Sequence, residues 1–162
     1  MGPAWCTMTD LTDILTSEAV EASLTVANKK ALFQQLAANA SRQSGLDAKE
    51  VLASLNTREK LGSTGFGGGT AIPHGKIAGL DKVFGAFARL TQPIDFGAVD
   101  GMPVDLVFLL LSPPDAGADH LKALASVSRA FRDRQMLDKL RGARSRDALY
   151  ALLAGEEARN AA

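Results

Sequence analysis

The side chains best placed for chemistry are two histidines and an arginine. His74 lies in "TAIPHGK" (70–76), directly after "GSTGFGGG" (62–69), which packs five glycines into eight residues; His120 is the only other histidine in the chain. Pro73 fixes its own φ and restricts Ile72, while Gly75 permits a tight exit, so the imidazole is expected at a defined place at a strand end. With an ordinary pKa of about 6.5 it is mostly neutral near pH 7. A neutral ring nitrogen is a nucleophile or a metal ligand, and the residue type alone equally fits a structural histidine. His120 begins the helical stretch "DHLKALASV" (119–127). There the helix N-terminus disfavours imidazolium and offers backbone donors to an anion, so His120 reads either as a neutral donor or as a surface histidine. Arg58, seven residues before Gly65, carries a planar cationic fork suited to phosphate oxygens, or a merely solvated charge.

The glycine-rich stretch between these groups has two readings. Gly65, Gly67, Gly68, Gly69 and Thr70 could turn their amides onto a phosphate or oxyanion, or form a flexible surface loop. The common nucleotide motifs do not fit. A P-loop needs glycine at 70 and Ser or Thr at 77, where the chain has Thr70 and Ile77. The dinucleotide pattern fails because Thr70 stands where the third glycine belongs after Gly65 and Gly67. No H-E-x-x-H or C-x-x-C pairing exists, so no metal or other cofactor is expected. The single cysteine, Cys6, reads as a free thiol in a reducing cytosol.

Elements that could hold these residues are legible along 162 residues, a length suited to one domain. Lys+Arg and Asp+Glu both number 18, so the balanced charge gives no support to a nucleic-acid or acidic-membrane partner. The longest apolar run, "VDLVFLLL" (104–111), is too short for membrane insertion and reads as a strand buried on both faces. "MGPAWCTMTD" has no secretory signal pattern; residues 1–10 read as a loose segment in which Met8 is an alternative start. The spacing of Leu32, Phe33, Leu36 and Ala40 predicts a helix over 26–43, stopped at Ser44-Gly45. A second helix starts at Asp47, with Glu50 completing a capping box and Leu46 and Val51 at the staple positions. It is expected to end near Asn56, leaving "TREK" (57–60) as a turn or a new helical start. "KVFGAFARL" (82–90) alternates as a strand, and 91–101 is turn-rich. A helix from about Ala118 is expected to bury Leu121, Leu124, Val127 and Phe131. Shorter helices follow at 135–141 and 146–154, the last between Ser145 and Gly155. Helices flanking a few central strands make an α/β layered domain.

Taken together, "REKLGSTGFGGGTAIPHGK" (58–76) and "QPIDFGAVDGMPVDLVFLLLSPPDAGADHLKALASVSR" (92–129) resemble the IIA domains of the bacterial phosphoenolpyruvate-dependent phosphotransferase system, fructose/mannitol type. The nitrogen-regulatory branch is most similar. The resemblance covers about 11–155, leaving 156–162 as a C-terminal tail, and departs at Phe66 and Gly68, where Ile and Asn are more usual. It implies a single-domain sandwich, a mixed β-sheet flanked by α-helices, and a cytoplasmic phosphoryl carrier needing no cofactor. It further implies that His74 is phosphorylated, at Nε2, by a phosphohistidine on an HPr-like carrier protein, with His120 and Arg58 holding the phosphoryl group.

Within the resemblance two branches are open. A sugar-uptake IIA passes phosphate to a IIB domain, whereas a nitrogen-type IIA regulates partners, such as kinases or transporters, through its phosphorylation state. The lack of a membrane segment or attached IIB-like domain, with the glycine loop, favours the nitrogen-type branch and a nitrogen-type HPr donor. A third reading is a binding module indifferent to phosphorylation, with Phe66 on its docking face.

Overall fold

The computed structural model describes residues 11–155. The expectations for Cys6, Met8, the loose segment 1–10 and the tail 156–162 lie outside the described residues. After a single 3-10 turn at Leu11–Asp13, the order is β1 (Leu15–Leu24), α1 (Lys29–Ser44), α2 (Ala48–Lys60), β2 (Gly65–Gly67), β3 (Thr70–Ala71), β4 (His74–Lys76), β5 (Phe84–Ile94), β6 (Val104–Ser112), α3 (Gly117–Arg132), α4 (Arg134–Gly142) and α5 (Arg146–Leu153).

The apolar run of β6 sets the centre of the molecule. Every residue from Leu106 to Ser112 is buried, which requires helices on both faces of the sheet. The strand order is β1-β5-β6-β3-β2, with β4 also paired to β6. The sheet is mixed: β5 and β6 are antiparallel, while β1 runs parallel to β5, and β3 and β4 run parallel to β6. Thr70 pairs with Leu106 and His74 with Leu110, so β3 and β4 keep one register along β6. They are in effect one strand interrupted at Ile72-Pro73, because proline has no N–H to give the ladder. The Pro73 carbonyl still accepts from Leu110 N–H at 3.0 Å. On the flanks, α1 packs on α2 and α2 on β4, while α3 packs on β6, α4 on α3, and α5 on β1. Among the described residues no helix is long and apolar enough to cross a membrane.

Several boundaries differ from the sequence expectation, for physical reasons. The first helix begins at Lys29 rather than 26, because the Asn28 side chain accepts from Ala31 N–H and caps it. Asp47 caps α2 through Lys49 N–H, but Glu50 stays exposed and does not reach back, so the capping box is half formed. The same helix runs on through "TREK" to Lys60; Asn56 and Thr57 are weak helix formers but not breakers, and the chain turns only at Gly62. β5 continues through Thr91-Gln92-Pro93 to Ile94, part of the stretch read as turns. Pro93 is tolerated there because it falls in the irregular register between Arg89 and Ile94 and beyond the last pairing with β1. In α3 the inward face carries His120, Ala123, Ser126, Val127 and Phe131, and Leu121 faces solvent. The expected apolar stripe is therefore rotated, and it is His120 that turns inward. The edge strand β1 has no counterpart in the sequence reading. Its buried residues, Leu15, Ala19, Val20 and Leu24, lose strict alternation because the pairing with β5 shifts register twice.

Candidate functional site

His74 opens β4 and His120 lies in the first turn of α3, which returns over the end of β6 where the parallel β4 also finishes. This is the carboxyl end of parallel strands, the usual place for a ligand crevice in α/β sheets. The two imidazole rings are 5.6 Å apart between centroids and tilted by 49°. Arg58 reaches the same place from the last turn of α2. One cleft is lined by Ser54, Arg58, Leu61, His74, Lys76 and His120, and an adjoining one by Arg58, Ser63, Gly65, Phe66 and His74 among others.

The hydrogen bonds fix the proton on His74. Its Nδ1 lies 2.8 Å from the Ile72 carbonyl oxygen, which can only accept, so Nδ1 carries the N–H. Nε2 is left with a lone pair, and Arg58 Nε–H donates to it at 3.2 Å. Burial is the largest influence on this ring and holds its pKa below the ordinary histidine value; the Ile72 carbonyl works the other way, and the Arg58 charge adds to the depression. His120 is also held below the ordinary value, first by burial and then by the charges of His74 and Lys76. Its Nδ1 is 2.5 Å from Ser112 Oγ.

Arg58 is itself held. Its Nη1–H donates to the Gly62 carbonyl at 2.9 Å. The loop beyond is tied by Glu59, whose two carboxylate oxygens accept from Thr64 N–H and Oγ1–H at 2.9 and 2.6 Å. Lys29 completes that anchor, 2.6 Å from Glu59 and 4.4 Å above the Phe96 ring. The helix carrying Arg58 comes close to β4 because residue 75 has no side chain: a Cβ there would overlap Ser54 Oγ, which donates to the Lys76 carbonyl at 2.9 Å. Gly75 thus serves close approach of a helix rather than an unusual backbone turn.

Of the expected phosphate cradle, the structure brings only Gly65 to the histidine. Gly65 pairs with Ala71 across the β2–β3 hairpin and lines the cleft beside His74. Gly67, Gly68 and Gly69 form the tight turn of that hairpin, all at positive φ. Thr70 lies four strand residues before His74, roughly 13 Å away along the chain. The turn is committed elsewhere. Gly68 N–H donates to Asp100 and the Gly68 carbonyl accepts from Arg141. Thr70 is buried and donates to the Gly67 carbonyl. Gly68 sits at φ +66°, where Asn is the usual alternative to Gly, so that departure from the pattern leaves the turn unchanged. The glycines read as an anion cradle are, from 67 onward, hairpin geometry.

The sequence reading missed Ser112 and Ser54. Ser112 left a signal: it is the lone hydroxyl closing an apolar strand, eight residues before His120. Ser54 left none. Along the clefts, Leu61 is 82% exposed and Phe66 37%, apolar side chains on the rim of a polar centre. Among the described residues no group of three or more His, Cys, Asp or Glu side chains is placed to hold a metal ion.

Comparison with known proteins adds the following. The family profile described as "Phosphoenolpyruvate-dependent sugar phosphotransferase system, EIIA 2" matches residues 13–155. A nitrogen regulatory protein of Bradyrhizobium diazoefficiens is 52% identical over 144 residues, covering 89% of this chain and 94% of that protein. A fructose-specific EIIA component of Haloferax volcanii is 35% identical over 150 residues, covering 91% and 96%. The crystal structure of nitrogen regulatory protein IIA-Ntr from Neisseria meningitidis superposes with a TM-score of 0.84 at 38% identity, covering 88% of this chain and 98% of that one.

Proposed function

We propose a function for this chain as a member of the phosphoenolpyruvate-dependent sugar phosphotransferase system EIIA 2 family, to which it belongs. It is the phosphoryl carrier of a nitrogen-type phosphotransferase system. His74 Nε2 takes a phosphoryl group from a phosphohistidine on an HPr-like protein, and the phosphorylation state then decides which regulatory partners bind. The nitrogen-type assignment draws on the 52% identity to a nitrogen regulatory protein, against 35% to a fructose-specific component.

The observation that carries the chemistry is the protonation pattern of His74. The Ile72 carbonyl takes the Nδ1–H, so the free electron pair is at Nε2, on the side of Arg58. That pair attacks phosphorus. The new bond is His74 Nε2–P, the bond that breaks joins phosphorus to the donor's ring nitrogen, and the donor imidazole leaves with the electron pair. The accepting ring gains positive charge as the bond forms, and the Ile72 oxygen faces the Nδ1–H that bears part of it. Arg58 gives up its contact with Nε2 and turns its fork to the phosphoryl oxygens, and His120, in the same cleft, supports them. Positioning and charge stabilisation of this kind are the main work in phosphoryl transfer.

Leu61 and Phe66 offer the donor protein an apolar rim. A dianionic phosphate at its centre changes the charge of that face without a change of fold, which suffices to gain or lose partners. The test is phosphoryl transfer from purified nitrogen-type and sugar-type HPr proteins to wild type and His74→Ala. Acid-labile, base-stable label on wild type alone, faster from the nitrogen-type donor, is expected. Equal labelling of His74→Ala overturns the carrier role; preference for the sugar-type donor, with onward transfer to a IIB domain, replaces the nitrogen-type assignment. Identical partner binding by wild type, His74→Ala and His74→Asp would mean that phosphorylation is not the switch.

A further inference from the structure

Ser112 closes β6 and its side chain is fully buried. Its Oγ lies 2.5 Å from His120 Nδ1 and makes no other hydrogen bond among the described residues. The pair has two possible arrangements. In one, His120 Nδ1–H donates to Ser112; in the other, the serine hydroxyl donates to a bare Nδ1. The first leaves the hydroxyl proton buried without an acceptor, at the cost of desolvating an unpaired donor. The second leaves no donor unmet.

The choice matters because Nδ1 is occupied by Ser112. Nε2 is then the one ring nitrogen His120 has for the cleft it lines with His74 and Arg58. A neutral imidazole carries a single N–H, and burial among His74 and Lys76 favours the neutral ring. With the proton on Nδ1, a lone pair would face the anionic oxygens. With the proton on Nε2, a donor faces them. We propose that Ser112 is a positioning residue whose hydroxyl donates to His120 Nδ1, fixing His120 as an Nε2–H donor to a phosphoryl group on His74. This rests on His74 being the phosphoryl acceptor, and it explains why a hydroxyl follows the apolar run 106–111.

The tautomer is measurable without any variant and without phosphate. Long-range proton–nitrogen NMR correlations on the full wild-type chain, at a pH where both rings are neutral, should show His120 protonated at Nε2 and bare at Nδ1. His74 should show the opposite pattern. A His120 ring protonated at Nδ1 overturns the proposal. In Ser112→Ala the His120 ring should become a mixture of tautomers, and transfer from an HPr-type donor to His74 should slow several-fold while the His74 tautomer is unchanged. An unmixed Nε2–H tautomer in that variant, with wild-type transfer, also overturns it. A wild-type chain that takes no phosphate on His74 removes the carrier function and with it this role for Ser112, yet leaves the ring assignment readable, so the two failures are distinguishable.

Discussion

Gly75→Ala separates the fold from the site. A Cβ at residue 75 would overlap Ser54 Oγ; with that hydroxyl rotated away it would still lie 3.3 Å from Ser54 Cβ and 3.4 Å from the Ser54 carbonyl oxygen. Rotation sacrifices the Ser54–Lys76 hydrogen bond, about 1 kcal/mol. If α2 retreats instead, the overpacking cost is about 1–3 kcal/mol. Arg58 follows Ser54 by one helical turn on the same face, so it retreats too. Its contact with His74 Nε2 is 3.2 Å, and a shift of about half an ångström takes it out of hydrogen-bond range. Urea denaturation should therefore show a loss of about 1–3 kcal/mol, and the initial rate of phosphoryl acceptance from an HPr-type donor should fall. The compensating pair Ser54→Gly/Gly75→Ala moves the missing Cβ from strand to helix. It should recover the acceptance rate while remaining less stable by about 2 kcal/mol, the lost Ser54–Lys76 hydrogen bond together with the cost of glycine inside a helix. Gly75→Ala that is destabilised yet accepts phosphate at the wild-type rate would refute the claim that this close approach sets the position of Arg58.

Both histidines should titrate below the ordinary value of 6.5 in proton NMR, because burial opposes each imidazolium. The unfolded chain then binds protons first, so stability is full above about pH 6.5 and falls as pH drops through the lower folded values; a midpoint at or above 6.5 for either ring contradicts this. Glu59→Gln should destabilise the fold by about 1–3 kcal/mol at pH 7, since a charge-assisted anchor to Lys29 and Thr64 is lost. Burial alone would raise the Glu59 pKa, but the bonds from Lys29 and Thr64 outweigh it and hold the pKa below the usual 4.5. The difference between wild type and variant should therefore persist at neutral pH and shrink as pH falls below 4.5 through that lower value; a pH-independent difference in denaturation midpoint would show that the carboxylate charge is not what matters.

What the sequence made legible, and what it hid, follows from the range of the interactions. β6 was readable because seven consecutive buried residues leave no other fate for "LVFLLLS" than the middle of a sheet. The cap of α2 and the start of α5 were readable because Asp47 and Ser145 act on amides two or three residues away. β1 was hidden because its alternation is broken by register shifts against a strand 66 to 70 residues later. His74, His120 and Arg58 were candidates from type and spacing, each with a structural alternative that only the family resemblance narrowed, and the reason for Gly75 was not legible at all. It lies in Ser54, 21 residues earlier, and only the packing of α2 on β4 brings the two together. The glycines of 67–69 misled for a related reason. Positive φ suits an anion nest and a hairpin turn equally, and the partners that decide between them, Asp100 and Arg141, are remote in sequence.

The central claim is that one ring nitrogen carries the phosphoryl group, and it can be read directly. Phosphorylated wild-type protein, labelled with nitrogen-15 at histidine, should show phosphorus coupled to His74 Nε2 with the proton retained at Nδ1 beside the Ile72 carbonyl. Phosphorus found on His74 Nδ1, on His120, or on no histidine at all would contradict the account.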